Sequence, residues 1–114
     1  MQWLLLESIE DLIEVFSMKL ESKFQSDVIR AIKQRFNGAV VLKNDANYIQ
    51  GLPDLTVLYK DKWAMLECKR SEDSKRRPNQ EFYVNRYNGM SFARFIFPEN
   101  MEDVLNAMGE FFEA

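Results

Sequence analysis

The chain has 114 residues, of which 46% are hydrophobic and 29% charged, with fifteen Lys or Arg against eighteen Asp or Glu and a net charge of -3. That is material for one domain of ordinary folded composition, and nine Phe, four Tyr and two Trp supply bulk for a core. There is no His and a single Cys; this excludes an internal disulfide, fits a reducing cytoplasm, and leaves carboxylates and carbonyls as the donors of any metal site. Such hard oxygen donors suit Mg²⁺ or Mn²⁺ better than Zn²⁺. The acidic balance runs against a broadly basic nucleic-acid binder, although a bound cation offsets acidic ligands locally.

The chain opens Met1-Gln2-Trp3-Leu4-Leu5-Leu6, followed by Glu7, Glu10, Asp11 and Glu14. A membrane span needs roughly 20 apolar residues and a signal peptide a positive start, so neither is expected. Residues 3–16 place Leu5, Ile9, Leu12, Ile13 and Phe16 at helical spacing, which predicts an amphipathic helix that either covers the core or makes a dimer contact. A second helix is predicted over 22–36, from a Ser22/Gln25 capping box to Gly38, with Phe24, Val28, Ile32 and Phe36 as its apolar stripe. Residues 39–43 read as a short strand, 44–52 as a loop, and 54–59 and 62–68 as two strands joined by a tight turn at Lys60-Asp61. A charged stretch, 70–77, precedes a helix from Pro78 to about Asn88, with Gly89 as its stop. A strand over 92–97 and a helix over 99–112 complete the order, which predicts one mixed sheet flanked by helices.

The chemistry concentrates in Gly51-Leu52-Pro53-Asp54 and Glu67-Cys68-Lys69. Pro53 suits the head of a strand, which places Asp54 at the start of one hairpin strand. Glu67 and Lys69 stand two apart near the end of the other, on one face. Antiparallel pairing through a two-residue turn sets Asp54 opposite Glu67 or nearly so. Two carboxylates and an ammonium then converge, a group that can hold Mg²⁺ against phosphate oxygens, with the Cys68 carbonyl as a further oxygen donor. The bland alternative is a surface ion pair across a hairpin.

These residues resemble the PD-(D/E)xK nuclease superfamily. With Leu55, Leu66 and Gln80 in the following helix, they are similar to the VRR-NUC group and to phage and archaeal Holliday-junction resolvases, from about Glu21 to Met108. The resemblance implies a restriction-endonuclease-like α/β core in a single domain, 1–114, with 1–20 as an N-terminal helical extension. It implies Asp54 and Glu67 as Mg²⁺ ligands and Lys69 as the catalytic lysine, with Mn²⁺ able to substitute. Glu21 matches the glutamate such nucleases carry in their first core helix, or is a first-turn acid favoured by the helix dipole. Gln80 is a candidate for contact with substrate or metal-bound water.

Lys43, Arg70, Lys75, Arg76 and Arg77 are candidates for a phosphate backbone, or else belong to solvated loops. Tyr48 is the aromatic candidate for substrate contact, whereas Phe82, Tyr83 and Tyr87 are expected in the core. The reading is thus a structure-selective, metal-dependent DNA endonuclease of repair, recombination or replication, phage-encoded or bacterial, acting as a homodimer or with a partner protein. The alternatives are a sequence-specific restriction or homing-type nuclease, and a nucleic-acid-binding module without chemistry.

Overall fold

The computed structural model describes residues 8–114, so the part of the predicted first helix over 3–7 lies outside the described residues. From Ile9 to Arg35 the chain is one helix, α1, where two were expected. Neither Gly nor Pro falls between those residues, so nothing interrupts the backbone ladder. The Ser22/Gln25 pair is therefore not a helix start: the Ser22 carbonyl accepts from Ser26 Oγ inside the helix. The real N-cap is Ser8, whose side chain accepts the Asp11 N–H at 3.2 Å. Helix α1 buries Phe24, Val28 and Ile32, the predicted stripe, and the chain leaves it through Gly38 at φ 89°.

Strands β1 (Val40–Lys43), β2 (Leu55–Tyr59) and β3 (Lys62–Cys68) form an antiparallel meander, and β4 (Phe92–Ile96) lies parallel to β3, giving the order β1-β2-β3-β4. The crossover from β3 to β4 is α2 (Pro78–Met90). It begins at Pro78 as expected but runs through Gly89 and ends against Ser91, whose N–H reaches the Tyr87 carbonyl. A short 3₁₀ turn at Pro98–Asn100 leads into α3 (Met101–Glu113).

The two sheet faces do different work. Leu55, Val57, Ala64, Leu66, Cys68 and Ile96 point into the main core with α1 and α3, and each is fully buried. The opposite face carries Met65, Ala93 and Phe95 under Val84 of α2. Glu67 and Lys69 fall on this second face because side chains alternate along β3. Of the three α2 aromatics expected in the core, Tyr83 and Tyr87 are half-buried, but Phe82 is 58% exposed. Only Val84 of α2 is buried, since the helix touches the sheet along a narrow line. At the far end Phe36, Tyr59 and Phe112 form a triangle with ring centroids 5.2 to 5.5 Å apart, tying α1, β2 and α3 together.

The main core predicts a steep cost for its central helix residue. Ile32→Ala removes a fully buried side chain and is expected to destabilise the fold by about 2–5 kcal/mol, read from urea denaturation. A loss below about 1 kcal/mol would show that α1 is not packed as described.

Candidate active site

The β2–β3 register pairs Leu55 with Leu66; one step further, Asp54 lies opposite Glu67, within what the hairpin geometry allowed. The two residues are tied through their backbones. The Asp54 N–H donates to Glu67 Oε1 at 3.1 Å, and the Cys68 N–H donates to Asp54 Oδ2 at 2.8 Å. Each carboxylate thus sits on an amide of the neighbouring strand, a strong placement for a charged acceptor. Cys68 itself turns its thiol into the main core, where burial raises its pKa. Its backbone, not its sulfur, faces the site.

Gln80 closes the constellation. The chain leaves the C-terminal end of β3, and α2 begins at Pro78, so the third residue of that helix returns over Glu67. Gln80 Nε2 donates to Glu67 Oε2 at 2.8 Å, while Gln80 Oε1 accepts from Lys69 Nζ at 2.9 Å and from the Arg77 N–H at 3.0 Å. The amide therefore bridges Lys69 and Glu67, whose direct separation is 3.9 Å. Its orientation is fixed by three bonds of the correct polarity. Glu67 is 4% exposed and Lys69 8%, which is rare for such residues unless paired.

Two further residues, which the sequence did not single out, hold this geometry. Asn44 follows β1 and donates through Nδ2 to the Pro53 carbonyl at 2.8 Å and to Thr56 Oγ1 at 2.9 Å, while its N–H donates to the Asp54 carbonyl at 2.8 Å. It locks the strand on which Asp54 sits, and in the sequence it is hidden among turn-forming residues. Asn79 packs against Gly51, which has φ 90° and where an added Cβ would come within 2.8 Å of the Asn79 side chain. Gly51 is thus required twice, by backbone conformation and by contact.

Two clefts flank these residues. One, of about 120 Å³, is lined by Asp54, Glu67, Gln80, Arg77 and Asn79 with the loop at Gln50–Leu52. The other, of about 200 Å³, is lined by Lys69, Arg70 and Lys75 with Glu14, Met18 and Glu21 of α1. Glu21 is in mid-helix, which removes its reading as a first-turn acid. It is close enough to feel the charges of Lys69 and Asp54, yet among the described residues no three acidic or thiol side chains group tightly enough to cage a metal.

Of the other candidates, Arg70, Lys75 and Arg77 line the two clefts. Tyr48 is 81% exposed on the loop that runs to Gly51. Lys43 is exposed at the end of β1. Arg76 is turned elsewhere: its guanidinium stacks on the Phe95 ring at 4.2 Å.

Burial, and then the charge of Asp54, push the Glu67 carboxyl up to about 8, against the pull of Lys69 and the Asp54 amide. Burial also raises Asp54 and Glu21. Burial is thus the main cause of the raised carboxyls, with Lys69 as the one buried ammonium beside them. Two close carboxylates with hard oxygens fit Mg²⁺, which is commonly held by one or two carboxylates plus substrate phosphates rather than by a full protein cage.

No family model matches the chain, and no curated protein matches it. Among solved structures, one described as "VRR_NUC domain" superimposes with a TM-score of 0.58, covering 76% of this chain and 95% of that one at 23% identity.

The raised carboxyl sets a pH dependence. The folded state holds a proton on Glu67 that the unfolded chain releases near 4.5, so metal-free stability falls as pH rises from 4.5 toward 8 and then levels. The melting temperature in chelator should decline across that window, and Glu67→Gln should flatten the decline. An equally steep slope in the variant would remove Glu67 as its source. In fold, then, the chain is a VRR_NUC-like domain: a four-stranded mixed sheet flanked by helices, with the Asp54–Glu67 pair at the start of β2 and the end of β3.

Proposed function

We propose that the chain is a Mg²⁺-dependent DNA endonuclease, structure-selective and acting in repair, recombination or replication. One observation carries this reading: a half-buried carboxylate, Asp54, faces a buried one, Glu67, to which buried Lys69 is joined through Gln80. A merely structural ion pair would bring one acid against one base. Here the acids are in excess and their carboxyls raised, the condition of a site completed by a cation. The likeness to a VRR_NUC domain agrees with it.

Asp54 and Glu67 would hold the metal, with the Cys68 carbonyl as a further oxygen donor and Glu21 reaching it across the Lys69 cleft. When bound, Mg²⁺ supplies polarisation of the phosphodiester and a lowered pKa for a coordinated water. The chain's own residues supply the rest. Lys69, held by Gln80, presents its ammonium where negative charge grows on the non-bridging and leaving oxygens as water's oxygen adds to phosphorus, gives up its proton to solvent, and the P–O bond to the leaving oxygen breaks. Gln80 is a positioning residue, because it acts through Lys69 and Glu67. Lys43, Arg70, Lys75 and Arg77 would take the phosphates on either side, and Tyr48 would stack on an unpaired base beside the cleft. One site cuts one strand, so incision of both strands calls for two copies.

The test is cleavage of labelled single-stranded, duplex, flapped and four-way-junction DNA in Mg²⁺, Mn²⁺ or EDTA. Wild type should cut in either metal and not in EDTA. Lys69→Ala should lose at least about 100-fold in rate while retaining DNA binding by mobility shift. Full activity in Lys69→Ala would contradict the assignment. Binding without metal-dependent cutting would point to a binding module, and products confined to one sequence would point to a restriction-type enzyme.

A further inference from the structure

Helix α1 carries an apolar face that nothing among the described residues covers. Ile9, Leu12, Ile13, Phe16 and Leu20 are 74, 54, 58, 62 and 39% exposed, and no residue of α1 before Phe24 is buried. They recur at intervals of three and four, so they form one stripe. The expected covering of the chain's own core does not occur here, because packing against the sheet starts one turn after the stripe ends. The stripe exposes on the order of 600 Å², the upper end of what a monomer leaves bare and most of the ~800 Å² that each partner gives to a stable interface.

We infer that this face is an interface between two copies of the chain, paired antiparallel about a two-fold axis beside Glu14 and Val15. The stripe is self-complementary about that point: inversion of the order exchanges Ile9 with Leu20 and Ile13 with Phe16. Four of the five large side chains then meet a partner of similar size, as an isologous contact requires, while Leu12 falls opposite the small Ser17. Charge selects the direction. Glu10 and Asp11 lie at one end of the segment and Lys19 and Lys23 at the other, the same inversion setting Glu10 opposite Lys19, while Glu14 and Glu21 lie on the flank toward the Lys69 cleft. A parallel pair sets acid beside acid; an antiparallel pair sets the acidic end of one helix along the lysine end of its partner.

The face also borders the site. A groove along the stripe is lined by Leu12, Ile13, Phe16 and Leu20 together with Arg70. The other flank of the same helical segment, with Glu14, Met18 and Glu21, walls the cleft of Lys69. Pairing therefore holds this wall in place and sets two clefts in a fixed relation. The interface rests on the exposed stripe and not on the nuclease reading, so either can fail alone.

Sedimentation velocity and light scattering over a concentration series read the oligomeric state. Wild type should have twice the chain mass, and Phe16→Glu should weaken association by at least roughly 30-fold with an unchanged circular dichroism spectrum, since Phe16 is outside the core. Cysteine crosslinking gives the direction independently. A mixture of Ile13→Cys and Phe16→Cys chains, distinguished by a tag, should form the mixed disulfide in preference to either like pair. A monomeric wild type, a Phe16→Glu chain that dimerises normally, or a preference for like-pair disulfides would overturn the proposal. So would a monomer that sediments with anionic vesicles through the same stripe.

Discussion

Two carboxylates on one face of a hairpin repel each other, and the rest of this fold is arranged to hold them there. Burial removes the water that would screen Asp54 and Glu67, so their proximity is costly. The cost is offset locally by strand amides: the Asp54 N–H on Glu67 and the Cys68 N–H on Asp54. Those bonds exist only because the register places Asp54 opposite Glu67. A slip of one residue would move Glu67 and Lys69 into the core and Cys68 and Leu66 out of it. The apolar residues of the other face, each fully buried, therefore fix the geometry of the polar ones.

Helix α2 serves the same end. Its contribution to the core is slight, with one buried residue, but its N-terminus delivers Gln80 over Glu67 and Lys69. The parallel crossover makes this possible, since a helix leaving the end of β3 starts beside the residues that ended it. Ligand sites in open α/β sheets gather at the carboxyl ends of parallel strands for this reason. Gly51 lets the loop before Asp54 approach α2 closely enough for Asn79 to lie against it. The Gly-Leu-Pro-Asp segment thus has two separate physical tasks, close approach and strand start, and in the proposed function a third, as metal ligand.

Where the sequence is periodic and the geometry local, it is legible. The β2–β3 hairpin, the convergence of Asp54, Glu67 and Lys69, the Phe24-Val28-Ile32 stripe and the Pro78 helix start all follow from spacing that tertiary contacts do not override. The join between the two expected helices was not legible, because a Ser with a Gln three residues later has the form of a cap whether or not the helix starts there. Asn44 and Asn79 were hidden for a different reason. Asn is common in turns, and only the fold shows that Asn44 reaches back to Pro53 and Thr56. Arg76 looks like its basic neighbours, yet the face of the Phe95 ring takes up its guanidinium. The long α1 helix serves two regions: its second half closes the core, and its first half walls a cleft and leaves an apolar stripe bare.

We propose that Asp54 and Glu67 form an incomplete site that a divalent cation completes. Calorimetric titration of Mn²⁺ into the metal-free chain, alongside Asp54→Asn, tests this. Wild type should bind one ion per chain, with release of protons near neutral pH as Glu67 ionises, and the variant's affinity should fall at least about tenfold. Absence of binding to wild type, or binding by Asp54→Asn equal to it, would remove these carboxylates as metal ligands.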